Sequence, residues 1–248
     1  MWIGLNGPMR GSGDLSTPLL GLDDPLAAGL HLLGAALFGW QALRLVRRAR
    51  EARRRGVALA VFAATAVAVL TISGTYHGLS VDHAWKPFFQ RADHSAIFLL
   101  IAGTLTSFHA VGFFGRGRWW MVGLVWTIAL AALFGKVALW SRVGDDLGLV
   151  LYVGLSAVAL PSIAFLPRKL AWRAYLPMGL GAAVYVGGAL VDHLGEGWLW
   201  PSLFGPHEFF HVAVLTALLL HWRFFHDWAL PGRVTVDAAG SLSTLQGA

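Results

Sequence analysis

The sequence predicts an all-α fold, a bundle of seven membrane-spanning helices. Three observations predict it. Hydrophobic residues fill 56% of the 248 positions and charged residues only 13%, too apolar a balance for an ordinary soluble domain. The apolar residues fall into seven runs, each close to the roughly 20 residues a helix needs to cross a bilayer. The alternation that a transmembrane barrel would require is absent. Backbone groups in hydrocarbon must be paired within their own segment, so apolar runs of this kind are helices.

In chain order the predicted spans are Pro25 to Leu45, Val57 to Leu79, Asp93 to Phe114, Trp119 to Leu139, Leu147 to Leu166, Trp172 to Val191 and His207 to Trp228. Pro161 and Pro177 fall in or near the ends of their spans, where neighbouring helices can satisfy the freed carbonyls. Residues 1–24 read as a flexible tail without the pattern of a cleaved signal peptide, 25–230 as one membrane domain, and 231–248 as a polar C-terminal tail. Several of the twelve Trp mark helix ends, as interfacial aromatics do.

The net charge of +6 does not indicate a nucleic-acid partner, because the basic residues sit in short runs between the apolar stretches. The first connection carries Arg44, Arg47, Arg48, Arg50, Arg53, Arg54 and Arg55, and the connections on the same side by parity add Arg116, Arg118, Arg168, Lys169 and Arg173. The opposite side offers Arg10, Lys86, Arg91 and Arg142. The positive-inside rule therefore places the arginine-rich face in the cytoplasm, the N-terminus outside and the C-terminus inside. Topological anchoring accounts for the arginine run, with contact to anionic lipid as the lesser reading.

Ionisable residues inside a membrane are costly and default to functional hypotheses. His77 ends the second span, Asp93 begins the third, and His207 and His211 open the seventh. Parity places all four at one membrane face. Residues four apart on a helix share a face, which aims Ser73 with His77 and His207 with His211. The chain has no cysteine, so any metal must be held by His, Asp or Glu. Three neutral imidazoles leave one tetrahedral position for water, the arrangement of a catalytic zinc. Asp93 would ligate directly or take the proton of that water, and the Ser73 hydroxyl would hydrogen-bond the water or a developing oxyanion. His207-Glu208-Phe209-Phe210-His211 also matches the His-Glu-x-x-His pattern of zinc peptidases. The further residues of those peptidases are missing, and a carboxylate in a first helical turn is favoured by the helix dipole, so Glu208 is not assigned their role. His83, His94, His109, His221 and His226 are read as loop or packing residues, while His193, with Asp192, lies at the depth of the site. Lys136 is expected to raise its ammonium to the interface.

Three segments carry a resemblance: Ser73-Gly74-Thr75-Tyr76-His77, the run from Ala92-Asp93-His94-Ser95 through Gly103-Thr104, and Gly205-Pro206-His207-Glu208-Phe209-Phe210-His211. In order and spacing, from the second helix to the seventh, they are similar to the hemolysin III family. That family is the bacterial branch of the progestin and adiponectin receptor superfamily and is more distantly similar to alkaline ceramidases. The resemblance implies a seven-helix bundle with zinc on His77, His207 and His211, and with Asp93 and Ser73 at the water beside it. The family's first-helix pattern of Glu, Asn and His stands here as Asp24, Ala27 and His31, so the Asn is replaced, while Asp24 and His31 remain placed to support the ligands. Receptors of the superfamily carry zinc near the cytoplasm and alkaline ceramidases have the opposite orientation; the charge pattern here matches the latter.

The expected function is that of a zinc-dependent hydrolase of a lipid amide or ester, ceramidase-like, with membrane lipids as its surroundings and substrate source. The alternative is a sensor or receptor in which zinc is structural. Membrane pore formation, which the family name implies, ranks third, since no span shows a polar face broad enough to line a wide channel.

Overall fold

The computed structural model describes residues 22–48, 53–112, 117–165, 172–195, 204–229, 234–236 and 242–244. The predicted tails 1–24 and 231–248 lie mostly outside these residues, as do Arg10, Arg50, Arg116, Arg168 and Lys169. Among the described residues the chain forms seven α-helices: α1 (Pro25–Arg48), α2 (Arg53–Gly78), α3 (Lys86–Gly112), α4 (Gly117–Ala138), α5 (Asp145–Ala157), α6 (Leu176–Leu194) and α7 (Pro206–Ala229). Two 3-10 segments, Leu160–Phe165 and Trp172–Tyr175, lie between α5 and α6. In the C-terminal tail, β1 (Val234–Val236) pairs antiparallel with β2 (Leu242–Thr244).

The helices match the predicted apolar runs in number and order. Five are long and apolar enough to cross a membrane: α1, α2, α4, α6 and α7. The first turns of α3 carry Lys86, Arg91 and Asp93, and α5 is only 13 residues long before the chain tightens toward Pro161. Apart from the short C-terminal strand pair the described residues are helical, and five helices of this length and apolarity point to an integral membrane protein.

Sequential helices pack against one another, and α7 returns to lie against α1, α2, α3 and α6. Two apolar clusters result. The larger joins α1, α2, α3 and α7 around Phe38, Phe62, Leu70, Leu100, Leu218 and Phe225. The smaller joins α3, α4 and α5 around Phe98, Val125, Ala129 and Leu155. The outer surface is lined with side chains such as Leu33, Trp120 and Phe134, each at least 65% exposed, as expected of surfaces that meet lipid rather than water.

Many polar groups within this apolar frame are satisfied locally or across helices. Thr71, Thr75, Thr127 and Thr216 each donate to the carbonyl four residues earlier, which lets a hydroxyl face lipid at little cost. Ser107 donates to the Ala58 carbonyl, Trp126 to the Thr106 hydroxyl and Tyr152 to the His94 carbonyl, tying α3 to α2, α4 and α5. Lys136 departs from expectation. It is buried rather than raised to the interface, with its ammonium 5.6 Å from the ring centres of both Trp140 and Tyr152. Aromatic faces stabilise a cation that cannot reach water, so packing against α5 wins over extension.

Candidate metal centre

The site assembles at the end of the bundle where α1 and α7 begin and α2 finishes. His77 stands in the last turn of α2, one turn after Ser73. His207 and His211 occupy the first turns of α7, four residues apart and therefore on one face. That helix starts sharply for local reasons. Pro206 takes its first position, where a missing N–H costs nothing, and the Glu208 carboxylate accepts a hydrogen bond from the Gly205 N–H at 2.6 Å. Glu208 is thus a capping residue, buried in that role, which accounts for the peptidase-like spacing without peptidase chemistry.

The three imidazoles converge as the spacing predicts. The Nε2 atoms of His207 and His211 are 3.0 Å apart, and the His77 ring centre lies 4.6 Å from that of His211 and 5.2 Å from that of His207. Two imidazole nitrogens this close, in a buried setting, share either one proton or one cation. The fourth member of the group is Asp24: donor atoms of Asp24, His77, His207 and His211 all lie within 4.8 Å of one another. Tetrahedral zinc with bonds of about 2.0–2.1 Å would hold its donors about 3.3 Å apart, so small adjustments of these side chains would suit a metal ion.

Sequence reasoning assigned Asp24 a supporting place rather than membership of the donor group. Its position follows from helix capping. One oxygen, Oδ1, accepts from the Ala27 N–H at 2.9 Å and caps α1, while its backbone N–H donates to the His77 carbonyl at 3.0 Å. Oδ2 is left buried without a hydrogen-bond partner, 3.7 Å from His77 Nδ1. Burial pushes this carboxyl above its ordinary pKa, the capping N–H opposing it. A buried carboxylate oxygen with no donor, facing three imidazoles, fits a cation.

Other side chains fix this geometry from behind. Asp192 on α6 accepts a hydrogen bond from His207 Nδ1 at 3.1 Å, which sets the tautomer and leaves Nε2 facing His211. His193 turns away, toward Asp146 at 3.4 Å. Lys86, from the first turn of α3, donates to Asp23 Oδ2 at 2.7 Å and to the carbonyls of Tyr76 and Leu79 at 2.7 and 2.9 Å. One ammonium thereby closes the C-terminal end of α2 and holds the strand of chain leading to Asp24. His31 packs edge-on against His211, ring centres 4.4 Å apart, with both its nitrogens buried and unpartnered.

Asp93 is not in the four-residue donor group; it lies beside Ser73, one turn before His77. The centre is mostly sheltered: side-chain exposure is 6% for His77 and 12% for Asp24, against 39% for His207. Access from outside is therefore on the His207 side. The remaining histidines are engaged elsewhere. His83 accepts from the Trp85 N–H, His94 packs on Trp140, His109 contacts the Leu105 carbonyl and Ser162, His221 the Met178 carbonyl and His226 the Asp227 carboxylate.

Comparison with known proteins shows the family. The profile of the family described as Haemolysin-III related matches residues 23–222, which spans α1 to most of α7 and every residue of the centre. The chain belongs to that family. Hemolysin-3 of Bacillus cereus is similar to it, 28% identical over 170 residues that cover 66% of this chain and 74% of the relative. The haemolysin-III match begins at Asp23, so the residues that bring Asp24 to the imidazoles fall inside the shared region.

Proposed function

We propose that this haemolysin-III-type membrane protein is a zinc-dependent hydrolase of a lipid amide or ester. The observation that carries this reading is a sheltered three-imidazole group, its His207 side chain the most exposed of the three, with Ser73 and Asp93 side by side at the same end of the bundle. An all-nitrogen and oxygen donor set without thiolate suits zinc, with His77, His207 and His211 holding it. When bound, the ion supplies Lewis acidity to a carbonyl and to the attacking water. Asp93 accepts the proton that water loses, and the Ser73 hydroxyl keeps that carboxylate oriented. Asp192 keeps the His207 ring from turning. Water adds to the substrate carbonyl, the C–N or C–O bond breaks, the amine or alcohol leaves with the proton, and a carboxylic acid remains. The bilayer supplies a substrate whose chains lie in lipid and whose linkage lies at the depth of the centre.

The same reading takes α3 and α5 as crossings too, for seven in all. It places the arginine-rich end in the cytoplasm of a bacterial cell and the metal centre at the outer face.

A second reading, a sensor or receptor with structural zinc, is favoured by Asp24. If its unpartnered oxygen fills the fourth position, the site is closed. Lysis of membranes, which the Bacillus cereus relative's name denotes, is the third.

Elemental mass spectrometry of the purified protein, with single-turnover assays on a lipid amide, tests these readings. About one zinc per chain, lost in His211→Ala and kept in Asp93→Ala while turnover disappears, is the result expected. Zinc without turnover in the native chain moves the assignment to the structural reading, and dye release from liposomes would favour lysis. A native protein that takes up no zinc when metal is supplied overturns both metal readings.

A further inference from the structure

At the end of the bundle opposite the metal centre, Trp40, Gln41, Arg44 and Leu45 of α1 and Trp222 and His226 of α7 line a half-open cavity of about 240 Å³. We infer that it binds the phosphate headgroup of an anionic glycerophospholipid from the leaflet on the arginine-rich side.

The lining is chemically divided. Trp222 and Leu45 are buried and form an apolar floor, whereas Arg44 is exposed and brings a cation to the rim. The Arg44 guanidinium lies 3.7 Å from the centre of the Trp40 ring. A guanidinium stacked on an aromatic face is held flat while its N–H edge stays available, the arrangement that suits a phosphate. No ion pair to a carboxylate is present for Arg44 among the described residues, and no acidic residue lines the cavity. Asp227, beside the cavity residue His226, is already engaged by Arg223 at 2.6 Å and by His226 at 3.3 Å. Among the described residues the cavity therefore presents positive charge to an anion without a carboxylate to offset it.

Position and size choose the ligand. Arg44 lies one turn before Arg47, at the start of the basic connection, and two indoles flank it, the side chains that favour the headgroup level of a bilayer. Pockets that engulf drug-sized molecules run to roughly 300–1,000 Å³, so this smaller one accepts a phosphate with part of its glycerol and leaves the acyl chains outside. Chains left outside would lie along the exposed apolar flank of α1 formed by Leu33, Leu37 and Trp40. The clustered arginines beyond the cavity raise the local concentration of anionic lipid without selecting one binding place; the stacked Arg44 supplies the selection.

The test is native mass spectrometry of the detergent-purified full chain, titrated in parallel with phosphatidylglycerol, phosphatidylcholine and inorganic phosphate. The expected result is one phosphatidylglycerol retained per chain, little phosphatidylcholine, and at least a fivefold loss of retention in Arg44→Gln. Arg47→Gln, which removes the same charge from outside the cavity, should change retention less than twofold. Trp40→Leu, which removes the ring under the guanidinium, should fall between the two. Unchanged zinc content in each variant shows that the bundle is intact. Equal losses in Arg44→Gln and Arg47→Gln would overturn the proposal in favour of general surface attraction. Retention of phosphate without lipid would overturn it in favour of a soluble anion, and no retained ligand would overturn it outright.

Discussion

Asp24 in the candidate metal centre performs two tasks, and variants separate them. Asp24 caps α1 through one oxygen and faces the imidazoles through the other. Asp24→Asn keeps a good cap, since Asn ranks with Asp at this position, but removes the charge. It should therefore lower zinc affinity in chelator competition while leaving thermal stability of the metal-free protein within about 0.5 kcal/mol, a limit typical of changes that disturb no core contact. Metal binding also requires this carboxyl to be deprotonated. Because burial raises its pKa, acidification should begin to weaken zinc binding at a higher pH than an ordinary carboxylate would allow, and Asp24→Asn should remove that part of the pH dependence. Asp192 offers a parallel case with one task alone. Its hydrogen bond to His207 Nδ1 orients a ligand without reaching the ion, so Asp192→Asn should cost about 10–100-fold in zinc affinity, and unchanged affinity would show that packing suffices to orient the ring.

Helix contacts set the precision with which these residues meet. Where α2 crosses α3, a Cβ on Gly103 would collide with the Thr65 side chain, and where α1 crosses α2, one on Gly74 would come within 2.7 Å of Leu32 Cγ. Small residues of this kind let membrane helices approach closely. Gly103→Ala should destabilise the bundle by about 1–3 kcal/mol, the usual range for overpacking, in thermal or denaturant unfolding. Thr65→Ala in the same chain should restore part of the loss. Lys86 is the corresponding device at the helix ends. Replacing it with Met removes the shared donor of the half-exposed Asp23 carboxylate and of the Tyr76 and Leu79 carbonyls, which at about 1–3 kcal/mol for a buried acceptor left unpaired should loosen the approach of Asp24 and reduce zinc affinity. Helix number and order were legible in the sequence because apolar runs in lipid have few alternatives. The convergence of His77, His207 and His211 was legible from parity and four-residue spacing. Asp24 was harder to place because its role depends on a cap and on the Lys86 contact, neither of which shows as periodicity. Asp93 was read as opening a helix that in fact begins at Lys86, about two turns earlier. It was expected at the water beside the metal, and it lies next to Ser73, outside the four-residue donor group.

Across the whole molecule the charge pattern and the metal centre oppose one another: basic residues collect where α1 ends and α2 begins, and the imidazoles collect at the other end of the same helices. Whether the centre faces outward depends on how many helices cross, and connectivity makes that countable. If α3 and α5 both cross, the connections holding Asp82 and Arg142 and the end of α6 at Leu194 share one face. If only the five clearly apolar helices cross, Arg142 stands on the face opposite Asp82 and Leu194. The chain has no cysteine, so Asp82→Cys, Arg142→Cys and Leu194→Cys each introduce a single reactive thiol at an exposed position. With seven crossings, an impermeant maleimide applied to intact cells should label all three, while Arg47→Cys is labelled only after lysis. Helix contacts support this outcome independently. α3 meets α2 at both ends, Lys86 at the Tyr76 carbonyl and Ser107 at the Ala58 carbonyl, so it runs nearly the length of a helix that is long and apolar enough to cross. Labelling of Asp82→Cys and Leu194→Cys without Arg142→Cys would instead establish five crossings, with α3 and α5 held at one face. Protection of all three in intact cells, with Arg47→Cys exposed, would keep the seven crossings and turn the metal centre toward the cytoplasm, against the arginine bias.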